Sequence, residues 1–203
     1  MKRLLCSTML MVLSVGLFAQ VEALDERKSK LQEIENAISL NPTQKSIIQQ
    51  SLSKKYLQRS ALSHGASKHA QDKKEMAFKK YAIDKKCHEE LIQSLSEKQI
   101  AEYCNIVFAP EVDAKTKYKL SLLTEEENNY TEAEISSMYQ EIYKYLMLEK
   151  IVYFTYKYDY AKQKNNISRL KAIQPTCLKA SNNIEKQKGY GKFVSGKVKW
   201  NGK

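Results

Sequence analysis

Three histidines and four cysteines are the residues best suited to hold a metal in this 203-residue sequence, and neither set has the spacing of ligands. His64 and His69 stand five apart, roughly 140° around a helix, so they do not share a face, and Gly65 lies between them. Cys87 and His88 are adjacent, and neither an H-x-x-x-H nor a paired C-x-x-C pattern occurs. The sequence therefore points to no metal and no cofactor. Carboxylates cluster at Glu89-Glu90, inside a lysine-rich stretch, and at Glu125-Glu126-Glu127. The second cluster reads as a helix start, where acids complement the dipole. With no G-x-S-x-G, P-loop or H-E-x-x-H motif, no catalytic set is indicated, and the chain reads as a non-enzyme.

Tyrosine is the other residue in chemical excess. Seven of the 13 lie between Tyr139 and Tyr160, and Tyr153, Tyr156 and Tyr160 fall at i, i+3 and i+7. On one helix these form a single aromatic stripe, either packed in the core or presented to a partner with hydroxyls outward. A second candidate binding set is the basic end of the chain, where Lys192, Lys197, Lys199 and Trp200 could meet phosphates, an anionic membrane surface or acidic protein segments.

The compartment follows from the first residues. Met1-Lys2-Arg3 is a positive n-region and Leu4 to Phe18 an apolar run, which is short for a bilayer span and reads as a signal peptide. Cleavage is expected after Ala19, so that residues 1–19 leave, or alternatively after Ala23. The mature protein is then periplasmic or secreted, which disfavours a nucleic-acid partner. Losing Lys2 and Arg3 lowers the formal charge from +11 to +9. Seven lysines against Glu185 concentrate +6 of that in residues 175–203 and leave +3 for the body. Cys6 leaves with the signal. Of Cys87, Cys104 and Cys177, the pair Cys87 and Cys104 flanks one helix corner and is a disulfide candidate in an oxidising compartment. The alternative is buried, unpaired thiols.

The elements that must position these residues are helices. Six glycines and three prolines are few breakers for this length. Ser39-Leu40-Asn41-Pro42-Thr43-Gln44 recurs as Ser94-Leu95-Ser96-Glu97-Lys98-Gln99 and, loosely, as Leu122-Leu123-Thr124-Glu125-Glu126-Glu127. Each places a short polar residue (Asn41, Ser96, Thr124) at an N-cap, with Gln44, Gln99 or Glu127 three positions on, which is capping-box spacing. Pro42 then occupies the first helical position, where its missing donor costs nothing.

Apolar spacing fills in the rods. Leu31, Ile34 and Ile38 mark a first helix, and Ile48, Leu52 and Tyr56 a second that stops at His64-Gly65. A return helix is expected from Ala66 to Leu95, a segment after Ser96 that breaks at Ala109-Pro110, and a short helix over 112–123. Residues 131–174 lack Gly and Pro. Within them, Ile151 to Tyr160 has strand-like propensity, yet its helical flanks favour helix, with Asn165-Asn166 the expected place for any break. The fold class is all-α, with long antiparallel helical hairpins. Its expected divisions are a hairpin unit at 24–110, a second helical unit at 111–174 and a flexible basic tail at 175–203. Two such hairpins raise, without deciding, an internal duplication.

At its corners the sequence resembles the Spy/CpxP family of periplasmic proteins, marked by paired Leu-Thr-x-x-Gln motifs around a helical hairpin. The matching residues are Leu40, Asn41 and Gln44, then Leu95, Ser96 and Gln99, with Leu123, Thr124 and Glu127 as a third copy. Asn and Ser replace Thr in two copies, and Glu replaces Gln in the other. The resemblance covers roughly residues 30–110, and again 115–175 if the chain holds two tandem Spy/CpxP-like units. It implies a chaperone-like or stress-responsive protein that holds unfolded or partner proteins without turnover, often as a cradle-shaped homodimer. Two other readings stand beside it. One is a sensory accessory protein binding a specific partner or metal. The other is a scaffold engaging anionic envelope components through the tail.

Overall fold

The computed structural model describes residues 25–64, 70–126 and 129–188. Every regular element among them is an α-helix: α1 (25–37), α2 (Pro42–His64), α3 (Ala70–Ser94), α4 (Glu97–Val107), α5 (Ala109–Glu126), α6 (Glu132–Thr155), α7 (Tyr160–Ala172) and α8 (Thr176–Gln187). None is long and apolar enough to cross a membrane. The signal segment, Gly65, His69, Glu127, Lys192, Lys197, Lys199 and Trp200 lie outside the described residues.

The chain divides into two compact units, one up to Tyr103 and one from Cys104. The division falls inside α4.

In the first unit, α2 and α3 form an antiparallel hairpin. Ile48 and Leu52 of α2, Cys87 of α3, Leu95 at the corner, and Ile100 and Tyr103 of α4 are all buried. Ile34 is buried too, as is Ile38 just beyond the end of α1. Polar links tie α1 to this frame: Arg27 donates to Ser53 of α2 at 3.0 Å, and Lys45 of α2 pairs with Glu35 at 2.5 Å.

In the second unit, α5 packs on α6 and α8, and α6 on α7. One stripe of α5 turns inward at four- and three-residue steps: Val112, Thr116, Lys119 and Leu123 are all buried. Ile142, Tyr145, Leu146 and Met147 of α6 meet it.

Three sequence expectations are corrected here. First, Thr124 starts no helix. It sits in the last turn of α5, where its hydroxyl donates back to the carbonyls of Leu120 and Ser121, each at 3.3 Å. Leu122 and Leu123 are buried, and continuing the helix through them keeps both on its inner side. The capping box falls seven residues later. Thr131 has extended backbone (φ −72°, ψ 159°) and accepts from the Glu134 N–H at 3.3 Å, while Glu134 accepts from the Thr131 N–H at 2.8 Å.

Second, the tyrosine-rich run is helical only to Thr155. The break comes at 156–159, not at Asn165-Asn166, which lie inside α7. Asp159 supplies the reason: its carboxylate accepts from the Lys162 N–H at 3.0 Å and caps α7, a role the amides at 165 and 166 do not fill.

Third, residues 176–187 of the expected tail are a helix, α8, docked on α5 with Leu178 and Ser181 buried.

Candidate functional site

Two places bring polar side chains together with enough geometry to act. The first is the corner where α2 and α4 begin. Gln44 and Gln99 each close their own helix start: Gln44 Oε1 accepts from the Asn41 N–H at 3.1 Å, and Gln99 Oε1 accepts from the Ser96 N–H at 3.0 Å. The cap side chains answer, with Asn41 Oδ1 accepting from the Gln44 N–H at 2.9 Å and Ser96 Oγ from the Gln99 N–H at 3.2 Å. Each glutamine then reaches across. Gln44 Nε2 donates to the Ser94 carbonyl at 2.8 Å, and Gln99 Nε2 donates to the Ser39 carbonyl at 2.8 Å. The two amides also bond each other, at 2.9 Å and 3.1 Å. The result is a reciprocal clasp in which equivalent atoms of the two motifs make equivalent bonds.

Only an amide fits both halves of this role, because it carries an acceptor for its own cap and donors for the other strand of the corner. A glutamate in the same position has no donor to send across. Leu95 is buried and Leu40 half-buried beneath the clasp. Leu123 and Thr124, the expected third copy, belong to the other unit and take no part in it.

A charged network lies in the same unit. Lys30 donates to Glu33 at 2.7 Å and to the Tyr103 hydroxyl at 2.9 Å, and that hydroxyl donates to Glu33 at 2.5 Å. Burial works upward on the Glu33 carboxyl, but the hydrogen bonds from Lys30 and Tyr103 outweigh it and hold it below the usual range. Away from the clasp, the hairpin turns apolar side chains to solvent. Leu57 is 57% exposed, Phe78 64% and Tyr81 53%. Lysines surround them in sequence, and α2 carries Lys45, Lys54, Lys55 and Arg59 with no acid.

The second place is a cleft of about 550 Å³ in the unit from Cys104. Lys115, Tyr118 and Lys119 come from α5, Tyr145 and Glu149 from α6, and Asn182 and Glu185 from α8. Lys119 and Glu185 pair at 2.5 Å with their side chains 6% and 18% exposed, joining α5 to α8. Burial first, and Glu149 after it, push the Tyr145 hydroxyl up to about 12. Nearby on the same unit, Tyr139 donates to Asp113 at 2.5 Å and stacks on Tyr143 with ring centroids 6.0 Å apart.

The expected binding tyrosines are not one stripe. Tyr153, 45% exposed, is on α6, Tyr156 is the half-buried residue that ends α6, and Tyr160, 75% exposed, opens α7. The break at Asp159 interrupts the periodicity that would have aligned them. Cys87 and Cys104 form no bridge: both are buried free thiols, one in each unit. Burial pushes the Cys87 thiol up against a smaller opposite pull from Ser51 of α2, and pushes Cys104 up to about 12. Each thiol therefore packs as a small apolar group in its own unit. Cys177 is half-exposed, its sulfur 3.7 Å from a Glu141 oxygen. Among the described residues, no group of three or more His, Cys, Asp or Glu is placed to hold a metal ion.

Sequence reasoning passed over Lys119, Glu185 and Tyr145. A signal for the first existed: Lys119 stands seven residues after Val112 and four before Leu123, on the stripe that faces inward. Nothing in the sequence marks Glu185 as its partner, 66 residues away. No family model, no characterised protein and no solved structure matches this chain.

Proposed function

We propose that the protein is an exported, non-enzymatic helical protein that holds unfolded or partner polypeptides on the α2–α3 hairpin in a chaperone-like way. One observation carries this reading. A hairpin whose base is fastened by the Gln44–Gln99 clasp displays Leu57, Phe78 and Tyr81 to solvent among lysines. Exposed apolar side chains set in a charged surface suit weak, adaptable contact with many chains, because the rings give contact area and the lysine stems cover apolar surface while their charges stay wet. The rigid base keeps the display from collapsing on itself. The resemblance to the Spy/CpxP family rests on the same two corners and agrees with this reading by analogy of fold. The apolar run at Leu4 to Phe18 supports export.

The test uses the mature protein with several unrelated aggregating clients at near-stoichiometric ratios and no nucleotide. Suppressed light scattering, lost in a Phe78→Ser/Tyr81→Ser double variant that melts as the parent does, is the expected result. Equal suppression by that variant, or protection of one client alone, rejects the reading. Removing residues 189–203, which leaves α8 intact, separates the hairpin from the basic end. Binding lost on that truncation assigns the activity to anionic partners of the tail instead.

A further inference from the structure

The cleft among α5, α6 and α8 answers most of its own charges. Lys119 on α5 pairs with Glu185 on α8 at 2.5 Å, and the Tyr145 hydroxyl donates to Glu149 one turn on in α6. The pairs Lys119–Glu185 and Glu125–Lys188 advance together along their helices, so α8 runs beside α5 in the same direction. Lys115 and Asn182, each about one turn before a member of the buried pair, therefore stand level across the cleft. Neither side chain has a partner among the described residues, and the same holds for the side chain of Gln174, just ahead of α8.

What such a lining can take follows from its chemistry. An anion would meet Glu149 and Glu185, and a cation would meet Lys115 and Lys119. A wholly apolar ligand would strip water from the amides of Gln174 and Asn182 and return no hydrogen bond. A neutral polyhydroxyl ligand has neither fault, because every hydroxyl both donates and accepts. It accepts from Lys115 while it meets the donor and the acceptor of each amide. Beside these groups the Tyr118 ring, 41% exposed, supplies a flat apolar surface for the C–H face of a sugar ring. A volume of about 550 Å³ is that of a small-molecule site.

We propose that this cleft binds a neutral saccharide. Asn182 and Gln174 hold its hydroxyls from the α8 side, Lys115 donates to a ligand oxygen from α5, and Tyr118 carries the ring. The pairs Lys119–Glu185 and Tyr145–Glu149 are walls of the site, and neither has to break for the ligand to enter. The Lys119–Glu185 pair also holds α8 against α5 and so sets the width of the cleft. The site lies in the unit from Cys104, so it stands or falls apart from the polypeptide-holding role of the α2–α3 hairpin.

The probe is cellobiose, titrated into the full mature chain and followed by backbone amide shifts. Saturable shifts at the lining positions of α5, α6 and α8 are expected, with an affinity that added salt leaves unchanged, since the ligand carries no charge. Glucose should bind roughly tenfold better than glucuronate or glucosamine, each of which adds one charge to the same ring. Asn182→Ala should weaken cellobiose binding about fivefold, the size of one lost neutral hydrogen bond, and Tyr118→Ala by about as much through the lost ring contact. The ligand series needs no variant, so it decides the matter even where a substitution unsettles α8. Absence of saturable shifts up to the solubility limit of cellobiose, a preference for glucuronate or glucosamine over glucose, or unchanged affinity in either variant each overturns the proposal. Tighter binding of acetyl-Leu-Gly-Gly-amide at the same positions overturns the ligand class.

Discussion

The unit up to Tyr103 and the unit from Cys104 both carry charge pairs between helices, Lys45 with Glu35 and Lys55 with Asp84 in the first, but the first adds a corner clasp and the second a nearly enclosed ion pair. In the first, two helix starts are bound to each other by neutral amides, each satisfying backbone groups on both sides of a corner. In the second, a nearly enclosed charge pair, Lys119 with Glu185, is set into the face where α5 and α8 dock. Tyr139 with Asp113 and Lys150 with Glu111 add charged links between α5 and α6. Corners leave orphan backbone donors and acceptors, which a glutamine meets with one side chain. Docked helix faces have their backbone already paired, so what remains to be matched there is side-chain charge.

The comparison is broken most directly at Lys119. Lys119→Met strands the Glu185 carboxylate in a nearly closed site and should cost about 3–5 kcal/mol, read from denaturant unfolding. Adding Glu185→Leu should recover most of that loss, since replacing both partners removes the uncompensated charge. If the double variant is as unstable as the single, the pair is not what docks α8. Next in size is Gln99→Ala. It deletes the bonds to the Ser96 N–H, the Ser39 carbonyl and Gln44, and should cost about 2 kcal/mol. Gln99→Glu should lose much of the same stability, because it keeps the cap but not the donors that reach across. A Gln99→Glu protein as stable as the parent would show that the cross-corner bonds contribute nothing.

Smaller effects sharpen the picture further. Thr131→Ala removes a working cap and should cost about 1 kcal/mol, while Thr124→Ala, inside the last turn of α5, should change stability by about 0.5 kcal/mol or less. The reverse order would restore Thr124 as a helix start. The smallest expected effect is on pH dependence. Glu33 is held below the ordinary carboxylate range when folded. The stability it adds is therefore present above the unfolded value and lost as pH falls through the folded one. Glu33→Gln should flatten the acid limb of the stability profile of the first unit, whereas Gln99→Ala, a neutral change, should lower the profile without altering its slope.

What was legible beforehand divides in the same way. Corner chemistry is local: Asn41 with Gln44, and Ser96 with Gln99, are read from three-residue spacing, and Pro42 confirms the start. The same spacing misled at Thr124, because Leu122 and Leu123 are buried and carry α5 beyond it. Tyrosine periodicity misled because Asp159 caps a new helix within the run. The basic composition of residues 175–203 suggested a tail, yet Leu178 and Ser181 bury one side of α8.

By itself the sequence determined the helical class, the two glutamine corners and the hydrophobic stripe of α2, since all of these depend on residues within one or two turns of each other. Tertiary structure alone decided that the two corners are bonded to each other, that Lys119 meets Glu185, and that the Tyr145 hydroxyl is closed into a cleft. Those outcomes join residues 50 to 66 positions apart or set the burial of a single group. Local spacing carries no information on which distant face a helix will find.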